Sequence, residues 1–164
     1  MTKRKAVSRR HAGGPGRSKE AGKGVTPDIR YLESSAVVAA LLEGDVAAKA
    51  SLRAPGRRVT SALTVVEASR AIIRARVAGR LTNQQQRAAI RGIQAFARRC
   101  DIVSLADVVL TRAGRAFPVE PVRTLDAIHL ATLDALGEPP SLVTMVTRDV
   151  RIRENALALG YGLE

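Results

Sequence analysis

From Ile29 onward, short runs of strand-forming residues alternate with longer stretches whose apolar positions recur every three to four residues. That alternation constrains the fold more than any other feature. A short apolar run bounded by turn residues suits a buried strand, and the helical stretch after it supplies the crossover that a parallel neighbour requires. Ile29 to Leu32 reads as a first strand, Arg57 to Thr60 as a second and Ile102 to Leu105 as a third. Leu142 to Thr147 reads as a fourth, and Tyr161 to Leu163 as a short fifth.

The intervening stretches carry helix punctuation. Ser34 or Ser35 is positioned to cap a helix through Val37, Val38, Leu41 and Leu42, which Gly44 ends. A second helix, Val46 to Leu52, stops at Pro55-Gly56, and a long one containing Val65, Val66, Ile72 and Ile73 breaks at Gly79. Thr82 or Asn83 opens the next, and Asp107 to Phe117 is helical before the loop marked by Pro118 and Pro121. Thr124 begins a strongly periodic helix through Leu125, Ile128, Thr132, Leu133 and Leu136, and Val150 to Leu159 forms the last. Strands alternating with helices specify an α/β domain with a mainly parallel central sheet flanked by helices and joined by right-handed crossovers.

One such domain accounts for residues 29–164. The preceding residues 1–28 hold eight Lys or Arg against Glu20 and Asp28, with few large apolar side chains. A segment of that composition cannot bury enough surface to offset its ordering entropy, so it is expected to be a disordered basic tail. It reads either as an arm for phosphate or an acidic partner, or as a solvated extension with no role.

Composition narrows the chemistry. The chain carries a formal net charge of +12, and from position 29 onward 19 basic residues still face 13 acidic ones. All but Lys49 of those 19 are Arg, whose planar fork matches phosphate oxygens, so a polyanionic substrate is plausible. A general compositional preference for Arg explains the same excess. Only Tyr31, Phe96, Phe117 and Tyr161 are aromatic, which leaves almost nothing on which single-stranded bases could stack. Cys100 is the sole cysteine, excluding an internal disulfide and arguing against a cysteine-rich zinc site. The longest apolar run, Ala36 to Leu42, is far shorter than the roughly 20 residues a membrane span needs. A soluble, cytoplasmic protein without membrane contact is expected.

Four acids stand out against this background. Glu33, Glu67, Asp126 and Asp149 each interrupt or terminate an apolar stretch, in YLESSAVVAALL, ALTVVEASRAII, RTLDAIHLATL and LVTMVTRD. Carboxylates are seldom placed where a core begins unless they are paired or bind a metal, because desolvating an isolated one is costly. The α/β pattern puts Glu33 after the first strand, Glu67 in an early turn of its helix, Asp126 in a first turn and Asp149 after the fourth strand. In open sheets ligands bind outside the carboxyl ends of strands, where all four could converge. Converging carboxylates raise one another's pKa, and a hard divalent cation such as Mg²⁺ or Mn²⁺ is the natural way to keep them ionised. Such an ion, beside an Arg-rich surface, suits phosphodiester hydrolysis.

Each acid also has a plainer explanation. Glu33 and Asp149 could cap the helices that follow them, Asp126 could complement a helix dipole, and Glu67 could pair with Arg70 or Arg74. His129, three residues after Asp126, reads better as a packed, hydrogen-bonded histidine than as a general base. Ser34, Ser35 and Thr147 could orient the carboxylates or cap helices.

The blocks YLESSAVVAALLEGD, VTSALTVVEASRAI, RTLDAIHLATL and LVTMVTRDVRIRENALALGYGL, in this order, resemble the PIN domain, and particularly the VapC toxins of bacterial toxin–antitoxin pairs. The resemblance covers nearly everything from Ile29 to the end, and RTLDAIHLAT is its most specific part. It implies a three-layer α/β/α domain and a Mg²⁺- or Mn²⁺-dependent endoribonuclease that acts on RNA. It also implies a homodimer, a cognate antitoxin as partner, and Glu33, Glu67, Asp126 and Asp149 as catalytic and metal-holding residues. The chain departs from the family where Glu33 replaces the usual Asp, adding a methylene between backbone and charge. Two alternatives stay open: an RNA- or partner-binding module impaired by that change, and a nuclease that is not a toxin.

Overall fold

The computed structural model describes residues 29–164, so the basic tail expected at 1–28 lies outside the described residues. Five strands form one sheet, β1 (Ile29–Leu32), β2 (Arg57–Ser61), β3 (Asp101–Val103), β4 (Val143–Val146) and β5 (Gly162–Leu163). Their spatial order is β3-β2-β1-β4-β5 and every pairing is parallel, with Tyr31 opposite Val59 on one side and Met145 on the other. The sheet is therefore wholly parallel where a mainly parallel one was expected.

The strand order explains where a ligand would sit. The chain steps from β1 outward through β2 to β3, then returns across the sheet to β4 on the opposite side of β1. With right-handed crossovers, that reversal sends the helices of the two halves to opposite faces and leaves a crevice between the carboxyl ends of β1 and β4.

Two cores follow from the two-residue period of the strands. On one face Tyr31, Val59, Val143 and Met145 pack against Val109, Leu130, Ala131 and Ile152. These helical residues belong to α5 (Asp107–Ala113), α6 (Thr124–Asp134) and α7 (Val150–Ala158). On the other face Leu32 and Val146 pack against Val37, Ile72, Ile93 and Phe96. Those residues lie on α1 (Ser34–Val38), α3 (Ala62–Val77) and α4 (Asn83–Ala97), and α2 (Val46–Arg53) flanks them beside α1.

Several boundaries differ from the sequence reading. Glu33, for which capping was the plainer explanation, takes the N-cap of α1 in place of Ser34 or Ser35, its side chain accepting from Ser35 N–H at 3.0 Å. That helix widens into a π-helical turn, Ala39–Glu43, before Gly44 ends it at a φ of 73°. Strand β3 begins at Asp101 and stops at Val103, and α5 ends at Ala113 because Gly114 and the Pro118 loop follow. Thr82 does cap α4, in a reciprocal capping box with Gln85 that contributes about 1 kcal/mol to such a helix start.

Candidate active site

The helix starts gather at one edge. Glu33 caps α1 just past β1, Asp149 caps α7 just past β4, and Asp126 lies in the first turn of α6. Helix N-termini carry partial positive charge, so three of them meeting at a sheet edge favour the acids placed there. Glu67 reaches the same place from the second turn of α3. All four acids line one cavity of about 330 Å³, together with Ser34, Ser35, Arg123, Thr124 and Ile152.

Within that cavity the acids differ sharply in what they touch. Glu33 is 3% exposed and accepts from four protein donors. Ser34 Oγ donates to its Oε1, while Ser35 N–H, Ser35 Oγ and Thr147 Oγ1 (2.7 Å) donate to its Oε2. The two hydroxyls on Oε2 in turn accept from the β4–α7 loop, Ser35 Oγ from Arg148 N–H at 2.8 Å and Thr147 Oγ1 from Asp149 N–H at 3.1 Å. Each hydroxyl has a single proton, so these bonds orient both protons onto Glu33.

Glu67 is tied to His129, whose Nε2 lies 2.7 Å from Glu67 Oε2 and 3.6 Å from Glu33 Oε1. No salt bridge joins it to Arg70 or Arg74 among the described residues, because its side chain turns toward α6 rather than along α3. Glu33, Glu67 and His129 bring one ligand atom each within 4.8 Å of one another. Burial works to raise the Glu67 pKa, but the interactions with His129, Ser34 and Arg74 together outweigh it and hold the carboxyl below its usual range. His129 is buried and hydrogen-bonded, as the sequence suggested, with Tyr31 Oη 3.0 Å from its Nδ1. That its partner is a carboxylate of the site was not legible. Its place three residues after Asp126 on α6 was the available signal.

Asp126 and Asp149 remain open. Asp149 Oδ1 accepts from Arg151 N–H (2.8 Å) and Ile152 N–H (3.3 Å), leaving Oδ2 without a donor among the described residues. Asp126 makes no hydrogen bond there, and its Oδ2 is buried without a partner. Burial, and then the charge of Asp149, push the Asp126 pKa up, while Arg123 pulls it back. Both acids line the same cavity as the Glu33, Glu67 and His129 group, and carboxylate oxygens without protein donors are the kind that suit a hard divalent cation. Arg123, which sequence reasoning did not single out, lines the cavity at its exposed rim.

Residues 30–157 match the PIN domain. The chain is 38% identical over 137 residues to Ribonuclease VapC35 of Mycobacterium tuberculosis, covering 81% of this chain and 93% of that protein. It is 37% identical over 136 residues to Ribonuclease VapC46 of the same species, covering 81% and 94%. Among solved structures, VapBC2 from Rickettsia felis, bound to a DNA fragment from its promoter, superposes with a TM-score of 0.59 at 13% identity, over 83% of this chain and 97% of that one. PAE2754 from Pyrobaculum aerophilum gives 0.54 at 16% identity, over 91% and 92%. At such identities the structural likeness establishes the fold.

Proposed function

The chain belongs to the PIN domain family, and on that premise we propose that it is a metal-dependent endoribonuclease, the toxin of a type II toxin–antitoxin pair. The observation that carries this reading is the meeting of Glu33, Glu67, Asp126 and Asp149 in one cavity, with oxygens of three of them free of protein donors. Similarity to Ribonuclease VapC35 across most of both chains supports RNA as substrate, and a cognate antitoxin is the partner that the toxin reading entails. The proposed place of action is the cytoplasm, where both would be met; no described helix is long and apolar enough to cross a membrane.

Glu33, Glu67, Asp126 and Asp149 would hold Mg²⁺ or Mn²⁺ through their carboxylate oxygens. When bound, such an ion neutralises charge on the scissile phosphate and lowers the pKa of water. The protein's own groups do the rest. Glu67 is kept ionised by His129, and Arg123 offers the phosphate a planar fork at the rim. Exposed Arg70, Arg74 and Arg148 extend the positive surface along which RNA would be steered, Arg148 also bridging to Asp45 at 3.1 Å. A homodimer is supported by the stripe of exposed Val66, Ile73 and Val77 along one side of α3.

The test is cleavage of RNA by the purified chain with Mn²⁺ and with EDTA. Cutting with Mn²⁺ alone, lost in Asp126→Asn, is the expected result; equal cutting by the variant would remove the assignment. Growth arrest on expression, relieved by co-expressing the product of an adjacent small reading frame, tests the toxin role. One observation favours a second reading, a binding module without catalysis: every oxygen of Glu33 already has protein donors. Retained RNA affinity without saturable Mn²⁺ binding would select it.

A further inference from the structure

Resting on the reading above, in which Arg123 offers the phosphate its planar fork, we propose that Asn155 is a positioning residue for the substrate. From the middle of α7 it clamps the loop between α5 and α6, residues 114–123, and through that loop sets where Arg123 meets the RNA backbone.

The loop has few other anchors. Residues 114–123 form no helix or strand, and all of them are exposed except buried Phe117 and partly buried Val122. Phe117 packs into the core beneath the Arg112 guanidinium, 3.9 Å from its ring centroid, and Val122 packs against the same core. Between those two points Pro118 to Pro121 lie over solvent. Asn155 reaches this span. Its Oδ1 accepts from Val119 N–H and its Nδ2 donates to Val119 C=O, each at 2.9 Å, so one amide exchanges both bonds with one residue as a paired strand would. Glu120, next along, accepts from Phe117 N–H and Val122 N–H and so ties the clamped span to both apolar anchors. Arg123 follows directly as the residue that opens α6.

Nothing in α7 itself asks for asparagine at 155. Asn is a weak helix former, and this one is fully buried on a helix whose other buried residues are Ile152 and Ala156. A buried amide is unfavourable unless its groups are paired, and two of the three hydrogen bonds of Asn155 go to the loop, the third to Arg151 C=O at 3.1 Å. The clamp also refers the loop to the helix that Asp149 caps, so Arg123 and an acid of the cavity share one frame. Helix α6 is held independently by its buried Ala127, Leu130 and Leu133, so a loosened loop displaces Arg123 and leaves Asp126 in place.

Steady-state cleavage of a single-stranded RNA by the full-length chain with Mn²⁺, below the thermal midpoint of each variant, tests this. Asn155→Ala should raise KM about three- to tenfold, the effect of one weakened polar contact, and change kcat by less than about twofold. In an Arg123→Ala background the same substitution should add nothing to KM, because the group it positions is gone. Glu120→Ala loosens the same loop from its solvent side without touching the core, should raise KM in the same Arg123-dependent way, and decides the matter if Asn155→Ala does not fold. The positioning role is overturned, and the nuclease reading stands, if these substitutions leave KM unchanged, raise it equally with and without Arg123, or lower kcat instead. If the parent chain cuts no RNA with Mn²⁺, the nuclease reading fails and takes this inference with it.

Discussion

His129 on α6 holds Glu67 on α3 through a 2.7 Å contact between its Nε2 and Glu67 Oε2, joining residues 62 positions apart. Both groups near Nε2 are carboxylates, so the ring carries a proton there to donate to Glu67, while Nδ1 lies 3.0 Å from the Tyr31 hydroxyl. A tyrosine in the middle of the sheet thus fixes the aim of an acid at its edge.

Breaking that link should weaken the site without emptying it. His129→Leu removes the donor to Glu67, and Mn²⁺ affinity should fall by roughly 10- to 100-fold, the usual cost of losing a group that orients a ligand. Tyr31→Phe leaves the ring in place but frees its orientation, so its loss should be smaller. Calorimetric titration of both variants checks the order, and a larger effect for Tyr31→Phe would contradict it.

Arg123 should act on substrate rather than on folding. It is exposed at the cavity rim and makes no salt bridge among the described residues. Arg123→Ala should raise KM for RNA and reduce the slope of log affinity against log salt by about 0.7, as expected for one lost contact to a single strand. The thermal midpoint should not change.

Glu120 gives a pH signature remote from the site. The N–H groups of Phe117 (2.9 Å) and Val122 (2.6 Å) donate to its carboxylate and hold its pKa below the usual range. A folded-state pKa below the unfolded one gives stability that is present above the unfolded value, near pH 4.3, and is lost as pH falls through the folded one. Glu120→Gln should flatten the acid limb of the thermal midpoint against pH below about 4.3 and leave the neutral region little altered. An unchanged acid limb would show that these bonds do not contribute.

Leu130 tests the core beneath the site. It is fully buried between α6 and the sheet, among Tyr31, Met145 and Ile152. Leu130→Ala should cost about 2–5 kcal/mol in denaturant unfolding, with no change in slope. A loss below about 1 kcal/mol would mean that the surrounding helices close over the cavity.

The sequence by itself determined the layer architecture and the address of the four acids. Periodicity marked Ile29 to Leu32 and Leu142 to Thr147 as strands and the stretch from Thr124 through Leu136 as a helix, and right-handed crossovers then leave few ways to connect them. With strands and helices in that order, Glu33, Glu67, Asp126 and Asp149 could converge near the carboxyl edge, because each follows a strand or lies in the first two turns of a helix that begins there. The choice of Arg30 or Tyr31 for a given face of β1, likewise, is a matter of the two-residue period.

The tertiary structure alone decided how those acids differ. Whether Glu33 points into the cavity or folds back onto Ser35 depends on Thr147 and the β4–α7 loop, 114 positions away, and whether His129 meets solvent or Glu67 depends on how α6 and α3 approach across the edge of the sheet. Hydrogen bonds of that kind have no local signature. They form over about 3 Å, and residue spacing fixes which element a side chain stands on but not its position to that tolerance. The extra methylene of Glu33 was visible from the start; only the packed fold showed its carboxylate turned inward, to Ser34, Ser35 and Thr147.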